Sequence, residues 1–111
     1  MWLLTSSGII SIVQHRENPN LMVVRASSEK ALREFVPYAY SRTAKRKPVK
    51  RLPWRISLPR QTVRVLVHAQ FNAVAYDNFP NTIRDDRYHN VFMELYRMTD
   101  ALKAERKESV A

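Results

Sequence analysis

The stretch Trp2-Leu3-Leu4-Thr5-Ser6-Ser7-Gly8-Ile9-Ile10-Ser11-Ile12-Val13 decides the fold class. Two apolar runs flank Ser6-Ser7-Gly8, and Gly8 can take a positive φ without a Cβ clash, so the pattern predicts a β-hairpin. Glu17-Asn18-Pro19-Asn20 is a second turn signal, because Pro presets φ and Asn tolerates left-handed geometry. Leu21-Met22-Val23-Val24-Arg25-Ala26 follows as a third strand. Three β segments joined by short turns predict an antiparallel meander.

Downstream the period changes. Ser27 or Ser28 can cap a helix with Glu29 in its first turn, and Ala31, Leu32, Phe35 and Val36 share one face until Pro37 stops it. Trp54-Arg55-Ile56-Ser57-Leu58 alternates apolar and polar, as a half-buried strand does. Over 60–75 both periods fit. Length favours a helix starting after Pro59, with Val63, Leu66, Val67, Phe71 and Val74 on its inner face. Tyr76-Asp77-Asn78-Phe79-Pro80-Asn81 is a break. Asp85 or Asp86 then caps a last helix whose face is Tyr88, Val91, Phe92, Leu95, Thr99 and Leu102, which the pattern assigns to the core. The string β-β-β-α-β-α-α predicts an α+β fold: an antiparallel sheet of about four strands with helices packed on one face. Residues 1–103 form one domain with a basic loop at about 38–53, and 104–111 form a frayed tail.

The chain carries a net charge of +9 in 111 residues, unevenly spread. Residues 41–60 hold eight basic side chains and no acidic one, whereas 61–111 hold seven of each. The high isoelectric point thus belongs to one segment. There is no cysteine, which excludes a disulfide scaffold, a thiolate metal centre and a cysteine nucleophile. The single glycine excludes a Gly-rich phosphate loop. No run approaches the ~20 apolar residues of a membrane span, and Met1-Trp2-Leu3-Leu4 is too short for a signal-peptide core. The expectation is a cytoplasmic protein without membrane partner, cofactor or metal.

Several short segments, namely Met1-Trp2-Leu3, Gly8, Ser11-Ile12-Val13, His15-Arg16 with Asn18-Pro19, Val24-Arg25-Ala26, Tyr76-Asp77-Asn78-Phe79 and Tyr88-His89-Asn90-Val91-Phe92, resemble a family of small uncharacterised bacterial and phage proteins. The resemblance covers both ends of the chain and skips the basic excursion. It implies a compact bacterial or mobile-element accessory protein, and it implies nothing about chemistry.

Two constellations could carry function. In the first, Arg42, Lys45, Arg46, Lys47, Lys50, Arg51, Arg55 and Arg60 are interleaved with Tyr40 and Trp54. Cations bind phosphates by charge and release condensed counterions, and aromatic rings stack on unpaired bases. The bland reading is a solvated loop. Trp54 is also a core candidate, since it starts the alternating strand. In the second, His15 and His89 could share acid–base work, with Arg25 holding a phosphate, as a small metal-independent nuclease would require. Against this, His15 can simply face solvent and Tyr88-His89 can simply open a helix. His15, His68 and His89 lack the spacing of a metal site.

The leading expectation is a non-enzymatic protein that contacts nucleic acid or another polyanion through residues 42–60. The alternative is a phage-type inhibitor or adaptor that docks on an acidic host protein, and the third is the nuclease. A homodimer through the last helix is also open, because small domains often complete their burial by association.

Overall fold

The computed structural model describes residues 1–37 and 43–103. Tyr40, Arg42 and the 104–111 tail lie outside the described residues. Strands β1 (Trp2–Thr5), β2 (Gly8–Gln14) and β3 (Leu21–Ala26) form the expected meander. After helix α1 (Glu29–Phe35) come β4 (Lys45–Arg46) and β5 (Trp54–Pro59). Helix α2 (Arg60–Asn72) begins where β5 ends, and a 3-10 turn (Pro80–Thr82) precedes helix α3 (Asp86–Met98). The sheet has five antiparallel strands in the order β1-β2-β3-β5-β4. The α+β class is thus as expected. The fifth strand comes from the basic segment, where the absence of apolar periodicity had suggested a loop. Two residues at a sheet edge need no such periodicity, because backbone hydrogen bonds alone can hold them.

The core lies between one face of the sheet and the first two helices. Ile10, Ile12, Val24, Ala26, Ile56 and Leu58 project from the strands, and Ala31, Leu32, Phe35, Val36, Val63 and Leu66 cover them. Helix α1 is capped by Ser28, whose Oγ accepts from the Ala31 amide at 3.1 Å. Gly8 is needed where this helix meets the first hairpin. A Cβ there would lie 2.5 Å from Ser27 Oγ and 2.9 Å from Ala31 Cβ. So Gly8 serves the turn, at φ 157°, and also the close approach of α1 to the sheet.

Helix α2 forms as its length predicts, but only its first half reaches the core. Val63 and Leu66 are buried and Val67 is partly buried, whereas Phe71 and Val74 are 76% and 52% exposed. The helix starts from the end of β5. Its last turn instead flanks Leu3 and Leu4 of β1, leaving an open groove with Tyr76. The expected inner face therefore outruns the sheet.

The last helix departs furthest from expectation. Asp85 caps it, accepting from the Tyr88 amide at 2.8 Å, but among its apolar residues only Phe92 is buried. Val91, Leu95, Tyr96, Met98 and Leu102 are all exposed. Two contacts dock the helix. The Tyr88 hydroxyl donates to the carbonyl oxygens of Thr5 at 2.7 Å and Gly8 at 3.2 Å. Phe92 packs edge-on against Phe79 with ring centroids 5.2 Å apart. An amphipathic period shows which side of a helix is apolar, not whether another element reaches that side.

Two stability predictions follow from this docking. Phe92→Ala should cost about 3–5 kcal/mol of unfolding free energy, whereas Leu95→Ala should change it by only roughly 0.5 kcal/mol, both read by chemical denaturation. The second concerns alkaline pH. Burial raises the Tyr88 hydroxyl from 10.0 to about 12. The unfolded chain releases this proton first, so the Tyr88 contribution is complete below pH 10 and is lost as pH rises towards 12. Wild type should therefore lose more stability than Tyr88→Phe over that window in a pH series of melts.

Candidate anion-binding cleft

Alternation places the polar partners of the core residues on the face of the sheet opposite the core. Directly paired residues of an antiparallel sheet project to the same side. Ser11 pairs with Arg25, Arg25 with Arg55, and Arg55 with Lys45. The result is a row that crosses four strands and carries three adjacent cations. Val13 pairs with Val23, and Val23 with Ser57, in the next row.

The chain after β4 turns beside this face. The Lys47 amide donates to the Pro53 carbonyl at 2.8 Å, and the Lys50 amide donates to the Lys47 carbonyl at 3.0 Å. The turn brings Lys47 and Lys50 opposite Arg55. A cleft of about 590 Å³ is lined there by Gln14, His15, Arg16, Val23, Arg25, Lys47, Lys50 and Arg55. A neighbouring cleft shares His15, Val23, Lys47 and Arg55 and adds Thr43, Lys45 and Ser57. Among the described residues, neither is lined by an aspartate or glutamate.

The electrostatics of this arrangement are unfavourable by themselves. Arg25 and Arg55 are opposite one another, and like charges in that position destabilise a sheet. The Nε atoms of both are buried and have no hydrogen-bond partner among the described residues. Such a group costs about 1–3 kcal/mol when left unsatisfied. His15 is held more firmly. Its Nδ1 accepts from the amides of Glu17 and Asn18, each at 3.1 Å, so in this arrangement the ring hydrogen sits on Nε2. His15 thus caps the β2–β3 turn while its ring lines the cleft.

Of the residues expected at a polyanion surface, the fold collects Lys45, Lys47, Lys50 and Arg55 in the two clefts. Arg46 pairs with Trp54 and so belongs to the other side of the sheet, and Arg51 is exposed in the turn outside the cleft lining. Arg60 stands apart. Its Nη2 donates to Gln14 Oε1 at 2.9 Å and to the Pro19 carbonyl at 3.3 Å, bracing the β2–β3 turn. Trp54 is on the core side, partly buried against the hydrophobic cluster, because it shares the parity of Ile56 and Leu58.

The histidine pair is not assembled. His15 is at the far end of β2. Tyr88, next to His89, is bonded at the β1–β2 turn, so the two sites are separated by the length of β2, about 20 Å. Arg25 belongs instead with the basic cluster. Arg16, from the His15-Arg16 motif, lines the cleft, and Trp2, expected only as part of the first strand, lies on the same face of the sheet. The sequence signal for Trp2 is its alternation with the inward Leu3; the register then pairs it with Ser11.

No protein-family model, curated protein or solved structure matches the chain. No helix among the described residues is long and apolar enough to cross a membrane.

If Arg25 and Arg55 repel across the strands, Arg55→Gln should raise the unfolding free energy by about 0.2–1 kcal/mol at low ionic strength. The gain should shrink towards 1 M salt, where the screening length falls to about 3 Å. Denaturation midpoints of the two proteins at both ionic strengths provide the check.

Proposed function

We propose that the protein is a non-enzymatic nucleic-acid-binding protein whose sheet face opposite the core holds the phosphate backbone. The observation that carries this reading is the cleft in which Arg16, Arg25, Lys47, Lys50 and Arg55 converge with His15, with no acidic side chain among its described lining residues. A solvated basic loop has no reason to fold back against arginines of the sheet, where each cation raises the cost of the next. A phosphate anion reverses that sign, since it can accept charge-assisted hydrogen bonds from the arginine forks. The ligand class fits work in the cytoplasm.

A second reading draws on a different observation. The exposed apolar residues Val91, Leu95, Met98 and Leu102 lie along the last helix and its extension. Such a stripe, together with a basic cleft, would suit an acidic protein partner, as a phage-type inhibitor or adaptor requires. It also suits a second copy of the chain.

Salt separates these readings. With five phosphate contacts, the log–log slope of affinity against salt should be roughly −4.5 on duplex DNA and −3.5 on a single strand. Replacing Lys45, Lys47, Lys50 and Arg55 by Ser should flatten the slope and leave the far-ultraviolet circular dichroism unchanged. Replacing Arg84, Arg87 and Arg97 should have little effect. Fluorescence anisotropy with labelled oligonucleotides measures all three proteins. Binding that ignores salt and survives the four Ser substitutions would overturn the nucleic-acid reading. An acidic protein retained from nuclease-treated lysate, with no oligonucleotide bound, would replace it by the second.

A further inference from the structure

The basic row on the face opposite the core ends at an aromatic ring. Trp2 pairs with Ser11, which pairs with Arg25, Arg25 with Arg55, and Arg55 with Lys45. Hence Trp2 projects from the same face as the two arginines, and it is 64% exposed. Trp2 is separated from Arg25 by one strand carrying only the small side chain of Ser11. Resting on the nucleic-acid reading above, we propose that this face seats a single strand running across the β-strands, with a base stacked on Trp2 and the next phosphate held by the Arg25–Arg55 pair.

Two observations favour a single strand over a duplex, and a third calls for a phosphate of either. The first is width. The row from Trp2 to Lys45 crosses all five strands, and four interstrand spacings make about 19 Å. The major groove of B-DNA is about 12 Å wide and takes a helix or a two-stranded ribbon, so this sheet cannot enter it. The second is the ring itself. A flat, solvent-facing indole has a stacking surface for an unpaired base, which a duplex does not offer along its side. The third is the unsatisfied chemistry beside it. The two buried Nε atoms lack a partner among the described residues, and a phosphate seated between the guanidinium groups supplies acceptor oxygens to both. Sheets of RNA-binding modules seat two or three bases in a comparable span.

The distinguishing experiment compares a labelled deoxythymidine oligomer with a mixed-sequence duplex of equal length, by anisotropy, for wild type, Trp2→Ala, Trp2→Phe and Arg25→Gln. Trp2→Ala should weaken single-strand binding about five- to 150-fold and alter duplex binding less than twofold. Trp2→Phe should restore most of the loss, because stacking needs a ring and not an indole N–H. Arg25→Gln should make the single-strand salt slope shallower by about 0.7. Thermal melts of each variant, with midpoints close to wild type, keep the result free of folding effects, since Trp2 is exposed and at a sheet edge. Equal affinity for both oligomers, insensitive to Trp2→Ala but steeply salt-dependent, would overturn the single-strand seat and leave the polyanion reading standing. Absence of salt-dependent binding to either oligomer would overturn both.

Discussion

The pairing of Val24 with Ile56, between β3 and β5, governs most of this molecule. It sets the register of the two central strands. With Val24 and Ile56 directed into the core, their neighbours Arg25 and Arg55 must point to the other side. A slip of one residue would drive two guanidinium groups beneath α1 and α2 and bring valine and isoleucine out to water. Hydrophobic burial therefore holds the arginines face to face, although their mutual repulsion opposes it. The same register then brings Lys45 into the row through β4.

A charged pair of this kind is tolerable because the core is large relative to the penalty. Twelve buried residues form a continuous cluster on the inner face. Burying one aliphatic side chain contributes about 1.5–3 kcal/mol, whereas a like-charge cross-strand pair costs about 1 kcal/mol or less. Cations at the sheet edge have a further physical effect. Lys45 and Arg46 make up the short edge strand, and charge on a two-residue edge discourages pairing with a second sheet. One segment thus protects an open edge and supplies one wall of the cleft.

The C-terminal third is attached more loosely. Phe79, Ile83 and Phe92 supply its apolar anchor, and Tyr88 ties α3 to the first hairpin through two backbone carbonyls. Gly8 is shared by both arrangements, since its carbonyl receives Tyr88 while its missing Cβ admits α1. Much of the α3 surface stays in contact with water, as does the groove formed by Leu3, Leu4, Phe71 and Val74.

Strands, caps and turns were legible in the chain because their causes are local. Gly8 permits its turn, Asn18-Pro19 bends the next, Ser28 and Asp85 cap their helices, and alternation through Trp54–Leu58 identifies a half-buried strand. The concentration of charge in 41–60 was equally plain, being a matter of composition. What the sequence could not show depends on distance across the fold. Arg25 and Arg55 are thirty residues apart in the chain and meet only through the β3–β5 register. His15 and His89 were acid–base candidates by residue type, but His15 caps the β2–β3 turn while Tyr88, beside His89, bonds at the β1–β2 turn, and nothing local records which turn α3 will dock on. Likewise, the periods of α2 and α3 define apolar faces, yet Phe71 and Leu95 are exposed because the sheet ends before it reaches them. Local steric and hydrogen-bonding preferences thus determined the elements, while the core register and the finite extent of the sheet decided which side chains share a surface.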